Sequence, residues 1–333
     1  MKPPSFDCPT CAILRRLGWA ALVGVGVTVL AETWLEDFAT DPFARGWQAT
    51  GNTNLFRWDA EHGRVEVTWD TANPHSFFAL PLGRTLTTAD DFLVDLTLHL
   101  TDIAGGVRES RPGAMPLSLG FLNLSGALSS NYQRGAGRAR DTLEFTWFPA
   151  GEIPGFGIVD PTVSPITWDS TGKVAAAFTF PVAPMAGSTY RVRLEYRAVN
   201  RAVTPSLLLD DQVWPLNPLK LPATFGSFAL DAFAVMVWNE ATSLSDSLLA
   251  HGWVDDIRLE LPPAPIGRVT LIGEGEVRCA TLKGWRYTLE ASGDLRNWSD
   301  VAFGSGTGEL LSLFDQRDAV FREQFYRVRA DRE

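Results

Sequence analysis

A chain of 333 residues, 45% of them hydrophobic and 20% charged, has room for a sizeable core, which argues against wholesale disorder. Its formal charge of −10 argues against a nucleic-acid partner, because phosphate binding needs a basic face that displaces counterions. The one basic exception, Arg134-Gly-Ala-Gly-Arg-Ala-Arg140, reads as a glycine-rich solvated loop rather than a phosphate cradle.

The chain opens on a leader pattern. Arg15-Arg16 precedes an uncharged apolar run from Leu17 to Leu30, and Val29-Leu30-Ala31 supplies small residues at the −3 and −1 positions. The run has about fourteen residues, short of the roughly twenty that cross a bilayer core as a helix. Residues 1–31 are therefore expected to be a signal peptide cut after Ala31, with an uncleaved N-terminal anchor as the alternative reading. The mature chain would then be exported, without a membrane span, at a net charge of −12. Cys8-Pro-Thr-Cys11 falls inside that leader, and no second cysteine pair could complete a zinc cage. Cys279, alone in the mature chain, sits in the alternating run Glu276–Ala280 and reads as a small buried apolar residue.

Period-two alternation then announces strands. In Arg64–Asp70 the residues Val65, Val67 and Trp69 share one face. In Leu93–Leu100 they are Val94, Leu96, Leu98 and Leu100. Asp141–Trp147 sets Leu143, Phe145 and Trp147 against Thr142, Glu144 and Thr146, and Arg191–Arg197 buries Val192, Leu194 and Tyr196. Each predicts one buried face and one wet or cleft-facing one. Ser118–Leu124 and Phe228–Trp238 are apolar on both faces and read as central strands. Asn239–Leu249 is the one helix candidate. Leu261-Pro-Pro-Ala-Pro265 cannot continue a ladder, so 262–265 reads as a stiff linker. The strand signals over 32–261 are too numerous for a small immunoglobulin-type sandwich and predict an all-β, large two-sheet jelly roll. Residues 266–333 predict a small β-rich domain with strands at Arg268–Ile272, Glu276–Ala280, Arg286–Ala291, Glu309–Phe314 and Gln324–Ala330.

From Trp34 to about Leu261 the chain resembles the concanavalin A-like lectin/glucanase superfamily, and within it a group of secreted bacterial proteins. The residues that carry the likeness are Asp37–Trp47, Leu55–Asp59, Val65–Asp70, Thr142–Pro149, Val163–Pro165 and Gly252–Ile257. The run Tyr287–Trp298, with Phe325–Arg329, is similar to a small β-domain at the C-termini of such proteins. The resemblance implies a sandwich that binds or acts on polysaccharide or cell-surface glycan.

The chemistry is thin. Glycosidases of that superfamily carry Glu-x-Asp-x-x-Glu, whose same-face carboxylates supply nucleophile and acid about 5 Å apart. The nearest match, Asp141-Thr-Leu-Glu144, puts its acids on opposite faces of a strand. The expected function is thus non-catalytic glycan binding or adhesion on a sheet face carrying Glu144 and Arg193. Trp47, Trp58 and Trp168 are the candidate stacking rings, since they lie in polar or turn-rich contexts. The alternatives are a glycoside hydrolase or polysaccharide lyase with an unrecognised site, or a structural surface or matrix protein. Glu36 and Asp37 in the opening strand could meet Asp255 and Asp256 in the closing one, an oxygen set of the kind that suits Ca²⁺.

Overall fold

The computed structural model describes residues 12–16, 32–111, 113–132, 134, 139–153, 157–210, 212–238, 246–262, 269–272, 275–281, 283, 285–317 and 324–332. They are nearly all β. The chain forms two compact units, Thr33–Leu261 and Met1–Glu32 with Pro262–Glu333.

The larger unit is a sandwich of two sheets. One has seven strands in the order Val174–Ala176, Thr162–Trp168, Thr142–Phe148, Leu117–Leu122, Leu230–Val237, Ser76–Leu86 and Gln48–Thr50. The other is larger and is built around Asp246–Leu261, Phe92–Gly105, Ser188–Arg197 and Ala202–Leu209, with Arg64–Asp70 and the opening strand Glu32–Glu36 also pairing to Asp246–Leu261. Alternation places the inner rows as expected: Val94, Leu96, Leu98 and Leu100 are buried while Asp95, Thr97 and His99 remain partly exposed. Rings from opposite sheets close the core. Phe92 meets Phe121 at 5.0 Å and 74°, and Tyr190 meets Trp147 at 4.8 Å and 78°, the edge-to-face geometry aromatic quadrupoles favour. At Gly120 the neighbouring strand comes so close that an added Cβ would stand 2.2 Å from the Leu143 carbonyl, so only glycine fits.

Two strands of the seven-stranded sheet behave as central strands, as their apolar runs imply: Leu117–Leu122 and Phe233–Val237 are buried throughout. Thr142–Phe148 departs from expectation. Its polar face is not wet, because Thr142, Glu144 and Thr146 are fully buried. Residues 239–245 of the helix candidate lie outside the described residues, and 246–249 form the start of a sixteen-residue strand instead.

The smaller unit holds a four-stranded sheet, ordered Ala12–Arg16, Gln324–Arg332, Trp285–Ser292 and Ser299–Ser305, and a three-stranded one of Thr270–Leu271, Glu276–Ala280 and Leu310–Phe314. Val277, Cys279, Trp285, Tyr287, Leu289 and Val328 form its core. The Ser299–Ser305 strand, at the edge of the four-stranded sheet, is additional to the expected strands. Ala12–Arg16, inside the expected leader, runs antiparallel to Gln324–Val328, so cutting after Ala31 would take this edge strand away. The remainder of residues 1–31 lies outside the described residues. Among the described residues no helix is long and apolar enough to cross a membrane.

Candidate functional site

The expected face does not exist as one surface. Glu144 belongs to the seven-stranded sheet and Arg193 to the larger sheet. Arg193 is half-exposed and donates to Glu195 at 3.1 Å, one of several ion pairs on that sheet's outer surface, where Arg191 also pairs with Asp95. Such exposed pairs contribute little energy.

Glu144 lies in the interior. Its Oε2 accepts from Arg134 Nε at 3.0 Å, with side-chain exposures of 0% and 1%. The Arg134 guanidinium lies 5.3 Å from the ring centre of Trp168, itself buried. Beside it Tyr132 stacks on Trp238 at 5.2 Å and 18°. Burial, and after it the Glu144 charge, push the Tyr132 phenol well above its usual range, so it stays a neutral donor. Tyr132 and Arg134 thus cover a sheet face that alternation alone would leave to solvent. An arginine ten residues upstream was the available signal for Glu144's burial, but it read as part of a solvated loop.

The other tryptophans are also engaged. Trp47 is buried, stacks on Phe78 at 4.4 Å and 7°, and donates from Nε1 to Glu36 Oε2 at 2.9 Å. Trp58 is half-buried and donates to the Phe38 carbonyl at 2.9 Å. Neither Trp47 nor Trp168 is an exposed stacking ring.

The opening and closing strands do pair, yet their acids do not make a cation cage. Glu36 turns inward and accepts from Arg45 Nη1 at 2.8 Å, Trp47 Nε1 and the Phe38 amide. Asp37 stays at the surface. Asp255 accepts from the Asp256 amide at 2.7 Å, and burial, then the Asp256 and Asp37 charges, raise its pKa to about 6. Among the described residues no three His, Cys, Asp or Glu side chains converge on an ion position, so these four do not fit the six to eight oxygens calcium takes.

An open cleft of about 460 Å³ lies beside the covered face, lined in part by Ser129, Asn131, Tyr132, Arg140 and Asp141. Two sets of backbone hydrogen bonds fix its wall. Asn123 caps the single helical turn Leu124–Ala127 by accepting from the Gly126 amide at 2.8 Å, and Asp231 holds the Leu124 amide at 2.7 Å. Asp141 adopts φ 52°, its carbonyl accepts from the Asn123 amide at 2.8 Å, and its Oδ1 accepts from the Ala229 amide at 2.8 Å. That left-handed turn sets Arg140 and Asp141 side by side on the cleft wall. Arg140 spends only Nη1, on the Ser170 carbonyl at 2.8 Å. Its Nε and Nη2, the Asp141 Oδ2, the Asn131 amide and the Ser129 hydroxyl have no partner among the described residues. Arg140 and Asn131 were missed in the sequence because neither belongs to an alternating strand.

No family model matches the chain, and no curated protein sequence matches it. Solved structures similar to it include the alginate lyase Aly36B, at 12% identity and TM-score 0.39, covering 69% of this chain and 97% of that one. A legume lectin-like domain from Entamoeba histolytica matches at 11% identity and TM-score 0.37, covering 68% and 95%. Winged bean acidic lectin, complexed with methyl-α-D-galactose, matches at 8% identity and TM-score 0.42, covering 69% and 99%. At such identities and superpositions no residue role transfers to this chain.

Proposed function

We propose that the protein is an exported, non-catalytic carbohydrate-binding sandwich that holds a saccharide in the cleft between Asn131 and Asp141. The observation that carries this reading is the set of unspent donors and acceptors there: a guanidinium edge, a carboxylate oxygen, an amide and a hydroxyl on one concave wall. Adjacent sugar hydroxyls, each both donor and acceptor, match such a set, and a volume of about 460 Å³ lies within the usual range for small-ligand pockets.

Binding is favoured over glycoside hydrolysis, which needs two carboxyl groups flanking one bond. Glu144 is paired inside the protein, and Asp231 is committed to the Leu124 amide and Asn123. Among the described residues Asp141 is the one carboxylate on the cleft wall.

A glycan array probed with the full chain tests the proposal. Binding that Arg140→Ala abolishes is the expected result. No signal above background for any glycan, with or without calcium, overturns it.

A further inference from the structure

We infer that the outer edge of the Ser299–Ser305 strand, in the smaller unit, pairs antiparallel with the same strand of a second copy of this chain. The result is a two-fold dimer that does not involve the carbohydrate cleft. Residues 285–317 are described without a break, so the inference rests on a continuous stretch of chain.

The edge is open because the turn that follows it is pulled apart. Ser299–Ser305 and Leu310–Phe314 are consecutive and joined only by residues 306–309, the connection of a hairpin. Yet each strand forms the edge of a different sheet. The Gly306 amide donates to the Trp285 carbonyl at 2.6 Å, while the Glu309 carbonyl accepts from the Thr281 amide at 3.0 Å and its hydroxyl at 2.8 Å. Each arm is held by its own sheet. The arms approach at Gly304, where an added Cβ would stand 3.1 Å from Leu311 Cδ1, and a cleft of about 540 Å³ lies between them. Among the described residues Ser299–Ser305 pairs on one side only, with Trp285–Ser292.

Sheet edges that stay single are commonly blunted by lysine or proline. This one has neither, and Phe303 stands on it 67% exposed. A bulge at Val301 bends one end but leaves Ala302–Ser305 in regular register. Such an edge is a template for another strand.

Charge selects the occupant. Arg286, opposite Ser305, lays its guanidinium 4.1 Å from the Phe303 ring centre and makes no ion pair among the described residues. The Asp300 side chain is 62% exposed and meets only Arg329 Nη2, at 3.8 Å. Antiparallel pairing centred on Phe303 sets ring against ring and turns Asp300 of each copy toward Arg286 of the other. One strand then supplies both halves of two identical contacts, the self-complementarity that a two-fold interface requires. Aromatic and opposite-charge cross-strand pairs are what stabilise such a ladder. A single edge buries less than a standard interface, so the dimer is weak and concentration-dependent.

Sedimentation velocity of the full chain from about 1 to 200 µM reads the dimer, and amide hydrogen exchange reads the edge. The parent should move toward dimer across that range, with slower exchange at Val301–Gly304 in the concentrated sample. Phe303→Lys should abolish the shift. Asp300→Arg should weaken the dimer about tenfold, and Asp300→Arg/Arg286→Asp should bring it back to within about threefold of the parent. A chain still monomeric at about 200 µM, a dimer untouched by Phe303→Lys, or a double reversal no better than the single one overturns the inference. If the chain stays monomeric and exchange at the edge slows only on adding an extended peptide of alternating valine and threonine, the edge takes a foreign strand and the second-copy reading falls. All three positions are exposed, so the substitutions leave the core of the smaller unit in place. Should a variant misfold, unslowed exchange at Val301–Gly304 in the concentrated parent is equally fatal.

Discussion

Removing Arg134 alone should be among the most damaging single changes in the larger unit. The guanidinium donates to Glu144 at 3.0 Å, and both side chains are at most 1% exposed. Arg134→Ala removes a charged donor from a carboxylate buried on a sheet face. Breaking one side of a buried ion pair costs about 3–5 kcal/mol, most of it the penalty of the charge left behind. The unit spans Thr33–Leu261, a size at which each kcal/mol shifts the melting temperature by about 2–4 °C, so the expected drop is about 6–20 °C. Calorimetric melting of the full chain at neutral pH measures it. Adding Glu144→Gln should recover part of the loss, because the buried carboxylate charge that Arg134 served is gone. A single variant that loses less than about 1 kcal/mol, or a double variant no better than the single, refutes the reasoning.

Three further outcomes follow from the same physics. Trp47→Phe removes a donor from the buried Glu36 carboxylate and should cost about 1.5–3 kcal/mol in urea denaturation, as for other hydrogen bonds to charged groups; an unchanged midpoint contradicts the role given to Glu36. Asp255 has its pKa raised to about 6, so between its unfolded value near 3.8 and about 6 the folded state holds the proton more tightly. Its contribution therefore falls as pH rises through that window, and Asp255→Asn should stabilise the protein at pH 7 while flattening that part of the profile. An unchanged slope contradicts the assignment. Burial pushes the Cys279 thiol up to about 11, so a thiol reagent at pH 8 should label it only after denaturant unfolds the smaller unit; rapid labelling of the native chain contradicts its burial.

How much of this was legible in the sequence depended on whether a residue's environment is set by its own strand. Arg64–Asp70 and Glu276–Ala280 form the strands their alternation describes, residue for residue. The apolar runs through Gly120 and Val235 marked the central strands of the seven-stranded sheet correctly, since burial on both faces leaves no polar row. The same logic failed at Glu144. A row of Thr, Glu and Thr has the composition of a wet face, and among the described residues Tyr132 and Arg134 pass over it and help bury it. Glu36 shows the converse. Its neighbour Asp37 is exposed, as a surface acid should be, but one residue earlier in the strand the side chain turns inward to Arg45 and Trp47. Nor could local pattern reveal Arg140 and Asp141. Their placement depends on a left-handed turn at Asp141 that is fixed by Ala229, 88 residues away in the chain.

The most direct measurement is a crystal structure of the full chain with an oligosaccharide selected on the array. Density for a sugar residue contacting Arg140 and Asp141 is the predicted result. A sugar bound instead on the outer surface of the larger sheet, near Arg193, would contradict the account.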